Sequence, residues 1–289
     1  MFPSTMNKAP SADKSLALAP MSPLTLAPFV LLVIVYLPTL WELVKDWYQD
    51  PNYSHGFLIP IVSGYLLWKR RDELAAIPRS RGKGGLAVVI LGLALFVVAN
   101  GAAEYFTLRL SFVVTLVGLV WLIFGKTLVK KTWFEWFFLL FMIPIPYVVY
   151  YALTFPMQLL ASKITADVLN VVGLAAIRQG NIIHLANYSL EVAEACSGMR
   201  SLVSLLALGA LFAYLTQTRL WPRLILIAST VPVAVAGNIV RVLITAVLVF
   251  MIGDAVAEEP VHSLLGLLVF MVALVTLPII GWILRKIFR

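Results

Sequence analysis

The sequence predicts an all-α polytopic membrane protein with about eight transmembrane helices, an amphipathic helix on the outer surface and a short hairpin. Three observations support this fold class. Hydrophobic residues make up 61% of the 289 residues and charged residues only 12%. The mean hydropathy is +0.95. Apolar stretches close to the roughly 20 residues that a membrane-spanning helix needs recur along the whole chain, whereas a soluble domain with one anchor has a single such stretch.

Eight apolar stretches are expected to cross the membrane. They lie at roughly 24–41, 55–68, 85–103, 108–124, 133–152, 198–215, 224–251 and 262–284. The second is short, and the seventh is long enough for a tilted helix. Residues 1–23 are rich in Pro, Ser and Ala and are expected to form a disordered cytoplasmic tail. Residues 24–289 are expected to form a single transmembrane domain.

The distribution of charge gives the orientation of the spans. The segments 1–23, 69–84, 125–132, 216–223 and 285–289 hold 16 of the 22 basic residues. The intervening loops and helix ends hold 10 of the 14 acidic residues. Basic loops stay in the cytoplasm, so both termini are predicted to be cytoplasmic. The net charge of +8 therefore reflects topology, and it does not indicate a nucleic-acid partner.

Residues 156–195, which this topology places outside, interrupt the pattern of spans. From Met157 to Arg178 apolar residues recur every three to four positions, which predicts an amphipathic helix lying on the outer surface. The segments 180–185 and 188–192 flank Ala186-Asn187 and predict a short hairpin. Together they would roof a cavity just before Cys196. An ordinary outer loop is the alternative.

Cys196 is the single cysteine, and it lies where a polar segment turns into the sixth apolar stretch. One cysteine forms no intrachain disulfide. The partial positive charge of a helix N-terminus stabilises a thiolate, and Arg200, four residues later, adds positive charge on the same helical face. The alternatives are an inert packing cysteine and an arginine that reaches the lipid headgroups.

Arg241 lies within the seventh apolar stretch, where insertion scales put an arginine at roughly +2.5 to +3.5 kcal/mol. Such a residue normally faces a cavity or a partner. Seventeen residues of helix from Leu224 place it ~25 Å along the axis, near the predicted level of Cys196. Reaching outward to headgroups, or pairing with a structural acid, is the alternative.

His262 opens the eighth stretch at the predicted outer face. An imidazole titrates near neutral pH and can donate a proton to a leaving amine. A structural histidine at the interface is the alternative. His55 and His184 are also predicted at the outer face, and they are the second and third candidates for a partner of the thiol.

The sequence shows no motif for a metal or a cofactor, and none is expected. Its histidines, acids and single cysteine do not have metal-ligand spacing. It also has no P-loop, dinucleotide fingerprint, His-Glu-x-x-His or Gly-x-Ser-x-Gly.

Three short motifs together resemble those of the exosortase/archaeosortase family. They are Glu194-Ala195-Cys196-Ser197-Gly198, Asn238-x-x-Arg241 and His262-x-x-x-Gly266. The earlier segments Tyr53-Ser54-His55-Gly56-Phe57 and Trp68-Lys69-Arg70-Arg71 also resemble bacterial exosortases. The resemblance covers about residues 40–284. Each motif is short, and their order, spacing and common membrane face carry the resemblance.

The resemblance implies a membrane-embedded cysteine protease and transpeptidase of the bacterial inner membrane, with its active site at the periplasmic face. Its partners would be membrane lipid and the C-terminal tail helix of exported proteins that carry a Pro-Glu-Pro motif and a basic tail. It implies Cys196 as nucleophile, Arg241 as oxyanion stabiliser and His262 as general acid and base. Arg200 is a supporting candidate because of its place on the helical face of Cys196, not because of the resemblance. Substrates, acyl acceptor, hydrolysis versus transfer, and oligomeric state stay open.

Two other function classes remain open at this point. One is a transporter or channel subunit in which Arg241 and His262 line a path for an anionic solute. The other is a non-catalytic subunit of an envelope polysaccharide export system.

Overall fold

The structure is a computed structural model that describes residues 23–78, 80, 82–185, 188–192, 199–253 and 261–288. Within these ranges, the side chains at 199–201, 261–266 and 268–269 lie outside the description. The predicted disordered tail, Cys196 and the tip of the predicted hairpin at Ala186-Asn187 also lie outside the described residues.

Eleven α-helices are present in the described residues. They are α1 (Pro23–Gln49), α2 (Leu58–Lys69), α3 (Arg71–Ala75), α4 (Lys83–Gly101), α5 (Tyr105–Phe124), α6 (Lys126–Lys131), α7 (Trp133–Phe138), α8 (Tyr147–Val171), α9 (Met199–Thr216), α10 (Leu220–Ile252) and α11 (Val261–Ile287). Two 3-10 segments, Pro51–Phe57 and Leu139–Met142, lie before α2 and after α7. The predicted all-α class is therefore confirmed.

Each of the eight predicted apolar stretches contains helix, but fewer helices meet the length and hydropathy expected of a span. Among the described residues these are α1, α4, α5, α10 and the part of α11 from Phe270. A sixth span results if the bent pair Trp133–Met142 and Tyr147–Val171 crosses as one. The α2 helix has 12 residues, and the apolar part of α9 is Leu202–Thr216. The predicted count of eight is not confirmed.

The fifth predicted span differs from the observed helices. The chain bends by 83° between Trp133–Met142 and Tyr147–Val171. Pro144 and Pro146 lie in the bend, where proline removes a backbone donor and disfavours helix in the residue before it. The second helix then runs on through Met157 to Val171. The predicted outer amphipathic helix is thus the second half of α8, not a separate element, and it ends before Arg178.

A three-stranded antiparallel sheet follows α8. It contains β1 (Ile177–Gln179), β2 (Ile182–His184) and β3 (Ser189–Glu191), in the order β1-β2-β3. In β2 and β3 the predicted hairpin is confirmed, with Ile183 paired to Leu190. The first strand replaces the end of the predicted amphipathic helix, because Gly173 has φ 85° and Gly180 has φ 65°, and a continuous helix cannot include either conformation.

The described chain divides into two compact units. Unit 1 contains residues 1–39 and 64–135, and unit 2 contains residues 40–63 and 136–289. In unit 1, α4 and α5 approach closely because glycines stand where side chains would collide. A Cβ added at Gly85 would meet the backbone of Leu122, and one added at Gly92 would meet Thr115. The prediction of a single transmembrane domain stays a prediction.

An ion pair also lies within unit 1. Glu135 is fully buried, and the Nη1 of Arg70 lies 3.2 Å from its Oε1. Arg70 also pairs with Glu73 and donates to the backbone carbonyl of Lys131. The carboxylate at the start of the fifth apolar stretch is therefore paired with the basic segment that follows α2.

Among the described residues of unit 2, three apolar clusters follow one another along α10. The first cluster comprises Ala213, Leu226, Leu277 and Leu284. The second cluster comprises Tyr150, Leu202, Val203, Leu205, Ala234 and Ala273. The third cluster comprises Ala161, Ala166, Leu169, Ala176, Ile183, Leu190, Val192, Val242 and Ala246. The first two join α9, α10 and α11, whereas the described members of the third come from α8, the sheet region and α10.

Candidate functional site

The buried face of α10 changes from apolar to polar part-way along the helix. Asn238 is 3% exposed, Arg241 is 6% exposed, and Thr245 follows on the same face. Their spacing of three and four residues is that of one helical stripe. The hydroxyl of Thr245 donates to the backbone carbonyl of Arg241 at 2.9 Å. Arg241 thus lies in a packed interior.

We call Asn238, Arg241 and Thr245 the polar layer. It begins between the second and third clusters. Ala234, four residues before Asn238, belongs to the second cluster. Val242 and Ala246 belong to the third. Charge and amide groups in such a place are costly unless they are bonded, so the layer is the strongest polar feature of unit 2.

The start of α9 lies level with Arg241. The two helices are antiparallel neighbours, because a Cβ added at Gly209 would collide with Thr230 and because Leu205 and Ala234 share the second cluster. Both pairs fit one antiparallel register, in which residue numbers fall along α9 as they rise along α10. Continuing that pairing along α10 brings Met199, the first residue of α9, level with Val240, the residue before Arg241.

Cys196 lies outside the described residues, but the chain on both sides of it is placed. Val192 is fully buried in the third cluster with Val242, and its N–H donates to the carbonyl of Asn181 at 2.9 Å. Met199 begins α9. An extended chain of four residues, as from Val192 to Cys196, reaches at most ~14 Å, and one of three residues, as from Cys196 to Met199, reaches at most ~11 Å. Both described flanks of the cysteine motif therefore lie beside the turn of α10 that carries Arg241.

The backbone of His262 also lies near the level of Arg241 along α10. Ala234 and Ala273 share the second cluster, and Leu226 shares the first with residues of α11 near its other end, so α10 and α11 are antiparallel. Continuing the pairing of 234 with 273 brings residue 262 level with Thr245. That position is four residues, or ~6 Å along the axis, from Arg241. The side chains of His262 and Arg200 lie outside the description.

The other two histidines are engaged elsewhere. His55 lies in the 3-10 segment before α2; its Nε2 donates to the carbonyl of Phe141 at 3.2 Å, and its Nδ1 accepts from the hydroxyl of Ser204 at 3.1 Å. A carbonyl oxygen can only accept a hydrogen bond, so the contact with Phe141 fixes the tautomer that carries its proton on Nε2. Burial lowers the pKa of the His55 imidazole below its ordinary value of 6.5. Neutral and bonded at both nitrogens, His55 suits a structural role.

His184 belongs to the sheet rather than to the polar layer. Its Nδ1 lies 2.7 Å from the hydroxyl oxygen of Ser189 on the neighbouring strand. Ile183, the next residue of the same strand, faces the third cluster. Side chains alternate along a strand, so His184 lies on the face away from α10.

Two buried residues of α8 were not identified as site residues from the sequence. Gln158 is 2% exposed and Thr165 is fully buried. Among the described residues, the Gln158 Nε2, the Thr165 Oγ1 and the Asn238 Oδ1 have no hydrogen-bond partner. Gln158 lies off the apolar stripe of the helix predicted from Met157 to Arg178, so no sequence signal indicated that it is buried.

Gln158 lies level with Asn238. Tyr150 of α8 shares the second cluster with Ala234, while Ala161 and Val242 share the third. The two helices therefore follow the same order along unit 2, and Gln158 falls between those two levels, as Asn238 does.

The described residues contain no group of three or more histidines, cysteines or acids that could hold a metal ion.

A comparison with protein-family models decides the family. A model described as Transmembrane exosortase (Exosortase_EpsH) matches residues 47–279, which is most of the chain. The chain belongs to the transmembrane exosortase family. Its resemblance to exosortases in the three motifs is thereby confirmed at the level of the family, and the matched range includes the cysteine motif, the polar layer and His262. Searches of curated proteins and of solved structures gave no match for this exosortase.

Proposed function

We propose that this exosortase is a membrane-embedded cysteine protease and transpeptidase that cleaves the C-terminal sorting segment of exported proteins. The observation that carries the proposal is the common level of the start of α9, Arg241 and the backbone of His262 in unit 2. The start of α9 follows the cysteine motif closely in the chain, so this level supports the assignment of Cys196, Arg241 and His262 to one site.

The reaction begins with the Cys196 thiolate, whose sulfur attacks the scissile carbonyl carbon and forms a C–S bond. The carbonyl oxygen takes up the electron pair and becomes an oxyanion beside Arg241. The C–N bond then breaks, and His262 protonates the departing amine. The resulting thioester is resolved by an acceptor amine or by water, which gives its proton to His262 and restores the thiolate.

The surroundings of Arg241 suit an oxyanion stabiliser. Its guanidinium is planar, permanently charged and rich in donors. Burial at 6% exposure keeps water away, which strengthens its interaction with a developing negative charge. The N-terminus of α9 and Arg200 add positive charge near Cys196, and this favours the thiolate.

The charge distribution supports the orientation. Basic segments such as 69–84 and 285–289 place both termini in the cytoplasm, and α10 then runs outward to Ile252. The polar layer lies in the second half of α10, so the active site faces the periplasm of a bacterial inner membrane. A substrate helix in the same bilayer presents its cleavage segment there.

The test compares wild type, Cys196→Ala and Cys196→Ser with a candidate exported protein that ends in a Pro-Glu-Pro motif, an apolar helix and basic residues. The mass of the mature protein reports cleavage. Loss of cleavage in both variants is expected, and unchanged cleavage by Cys196→Ala removes the nucleophile assignment. Anion flux in vesicles that requires Arg241, without any processing by wild type, would favour the transporter class.

A further inference from the structure

We propose that Gln158 and Asn238 form an amide pair that holds the main chain of the substrate beside Arg241. The proposal rests on the proposed function, because it takes the substrate to be a peptide. It assigns a positioning role to two residues that do not react themselves.

The first support is an open hydrogen-bonding capacity deep in unit 2. Gln158 and Asn238 are both almost fully buried. The Gln158 Nε2 and the Asn238 Oδ1 have no hydrogen-bond partner among the described residues. A buried polar atom that stays unbonded bears the full loss of its hydration, so natural proteins seldom keep one without a use.

A third buried amide shows what a structural role looks like in the same unit. Gln217 is also 2% exposed. Its Nε2 donates to the carbonyl of Gly281 at 2.9 Å and to the hydroxyl of Thr216 at 3.2 Å. Gln217 therefore links α9 to α11. In contrast, the Nε2 of Gln158 and the Oδ1 of Asn238 have no hydrogen-bond partner among the described residues.

The second support is the placement of the pair. Gln158 on α8 and Asn238 on α10 lie at one level, one helical turn before Arg241. A trans peptide group directs its C=O and its N–H to opposite sides. A donor on one helix and an acceptor on the other match a peptide group lying between them.

Binding to the inactive protein tests the pair directly. The probe is a synthetic peptide that contains the C-terminal cleavage segment of a candidate exported protein, and the protein is full-length Cys196→Ala in detergent. Gln158→Met and Asn238→Leu are each expected to weaken binding by roughly 10- to 100-fold, the range for one lost buried hydrogen bond. The matched control Gln217→Met should leave the Kd of the folded protein unchanged.

Ester-substituted peptides separate main-chain contacts from other effects. Replacing each amide near the cleavage point in turn by an ester removes one N–H. At one position the ester should weaken binding to the protein with Asn238 intact, and it should cause no further loss with Asn238→Leu. Equal losses in both proteins at every position would overturn the proposal for Asn238.

Stability gives a readout that does not depend on a substrate. Gln158→Met removes a buried amide nitrogen that has no hydrogen-bond partner among the described residues, so its Tm should equal or exceed that of the parent, whereas Gln217→Met should lower the Tm. A Tm loss in Gln158→Met as large as that in Gln217→Met would assign Gln158 a structural role. An unchanged Kd, or no peptide binding at all, would overturn the amide pair, and cleavage by Cys196→Ala would instead overturn the nucleophile.

Discussion

The buried hydroxyls around Tyr36 in unit 1 and the buried amides of α8 and α10 in unit 2 differ in how they are hydrogen-bonded. In unit 1 the Tyr36 hydroxyl is fully buried and lies 2.9 Å from the Oγ of Ser111 and 3.2 Å from the Oγ1 of Thr115. The rings of Phe96 and Phe112 pack edge-on against Tyr36. In unit 2 the amides of Gln158 and Asn238 are as deeply buried, yet each retains an unbonded atom among the described residues.

The difference separates polar groups that hold helices together from the groups to which we assign a ligand. Around Tyr36 every named hydroxyl joins α1 to α5, and Ser111 and Thr115 also donate to backbone carbonyls of their own helix. This satisfied network contributes stability. The unbonded amide atoms of Gln158 on α8 and Asn238 on α10 lower stability unless a ligand bonds to them. Such a loss of stability is typical of functional sites.

The largest expected effect distinguishes two equally buried arginines. Arg241→Lys should lower kcat/KM by roughly 10²- to 10³-fold, because the proposed role as oxyanion stabiliser needs planar donors that an ammonium group does not reproduce. Arg109→Lys in unit 1 is the matched control, since Arg109 is also 6% exposed and its guanidinium packs over Tyr105. It should keep the kcat/KM of wild type. Full activity of Arg241→Lys would reduce Arg241 to a point charge or a structural residue.

The next effect is on the stability of unit 1. Tyr36→Phe leaves the hydroxyls of Ser111 and Thr115 without their shared partner, so the free energy of unfolding in detergent should fall by about 1–3 kcal/mol. Activity of the folded protein should not change. A loss of kcat/KM without a loss of stability would break the distinction between the units.

A matched pair of isosteric substitutions sharpens the comparison. Thr165→Val removes a buried hydroxyl that has no partner among the described residues, so stability should stay the same or rise by up to about 1 kcal/mol. Thr115→Val removes a hydroxyl that contacts Tyr36 and donates to Ser111, so stability should fall by about 1 kcal/mol or more. Thermal unfolding of the two variants side by side decides the sign, and a clear loss for Thr165→Val would contradict the account.

The smallest effect depends on pH. The pKa of the Glu104 carboxyl lies below its ordinary value of 4.5, chiefly because the Thr107 side chain donates to it, and the N–H groups of Phe106 and Thr107 add to this. A lowered folded-state pKa gives stability above the ordinary value that is lost as the pH falls through the folded pKa. Glu104→Gln should therefore show a weaker loss of stability on acidification below about pH 4.5 than wild type. An unchanged pH profile would show that the cap of α5 contributes nothing, and Glu42→Gln, at an exposed site, serves as the control.

The sequence predicted the elements whose signals are local. Apolar length placed α4, α5 and α10 within a few residues, and the hairpin appears as β2 and β3. The bend at Pro144 and Pro146 had a local signal that the apolar composition on either side outweighed. The strand β1 was missed because the helical spacing of apolar residues continued into it.

The site could be predicted from the sequence where a single polar residue interrupts an apolar stretch. An arginine in an apolar stretch predicted a buried polar position, and Arg241 is buried. Gln158 carried no such signal, since its proposed role depends on Asn238, which lies 80 residues later in the chain and comes level with Gln158 only when the chain folds. The roles of Cys196 and His262 stay predictions, because the described residues fix the helices around them and not their side chains.

The single native cysteine allows the most direct test of the common level. Wild-type Cys196 is paired with a second cysteine at Arg241→Cys or, as control, at Thr230→Cys, eleven residues earlier on the same buried face of α10. A short bis-maleimide is then added to membranes, and peptides joined through residue 196 are identified by mass. The account predicts a cross-link to residue 241 and none to residue 230. Cross-linking to 230 with none to 241 would contradict it.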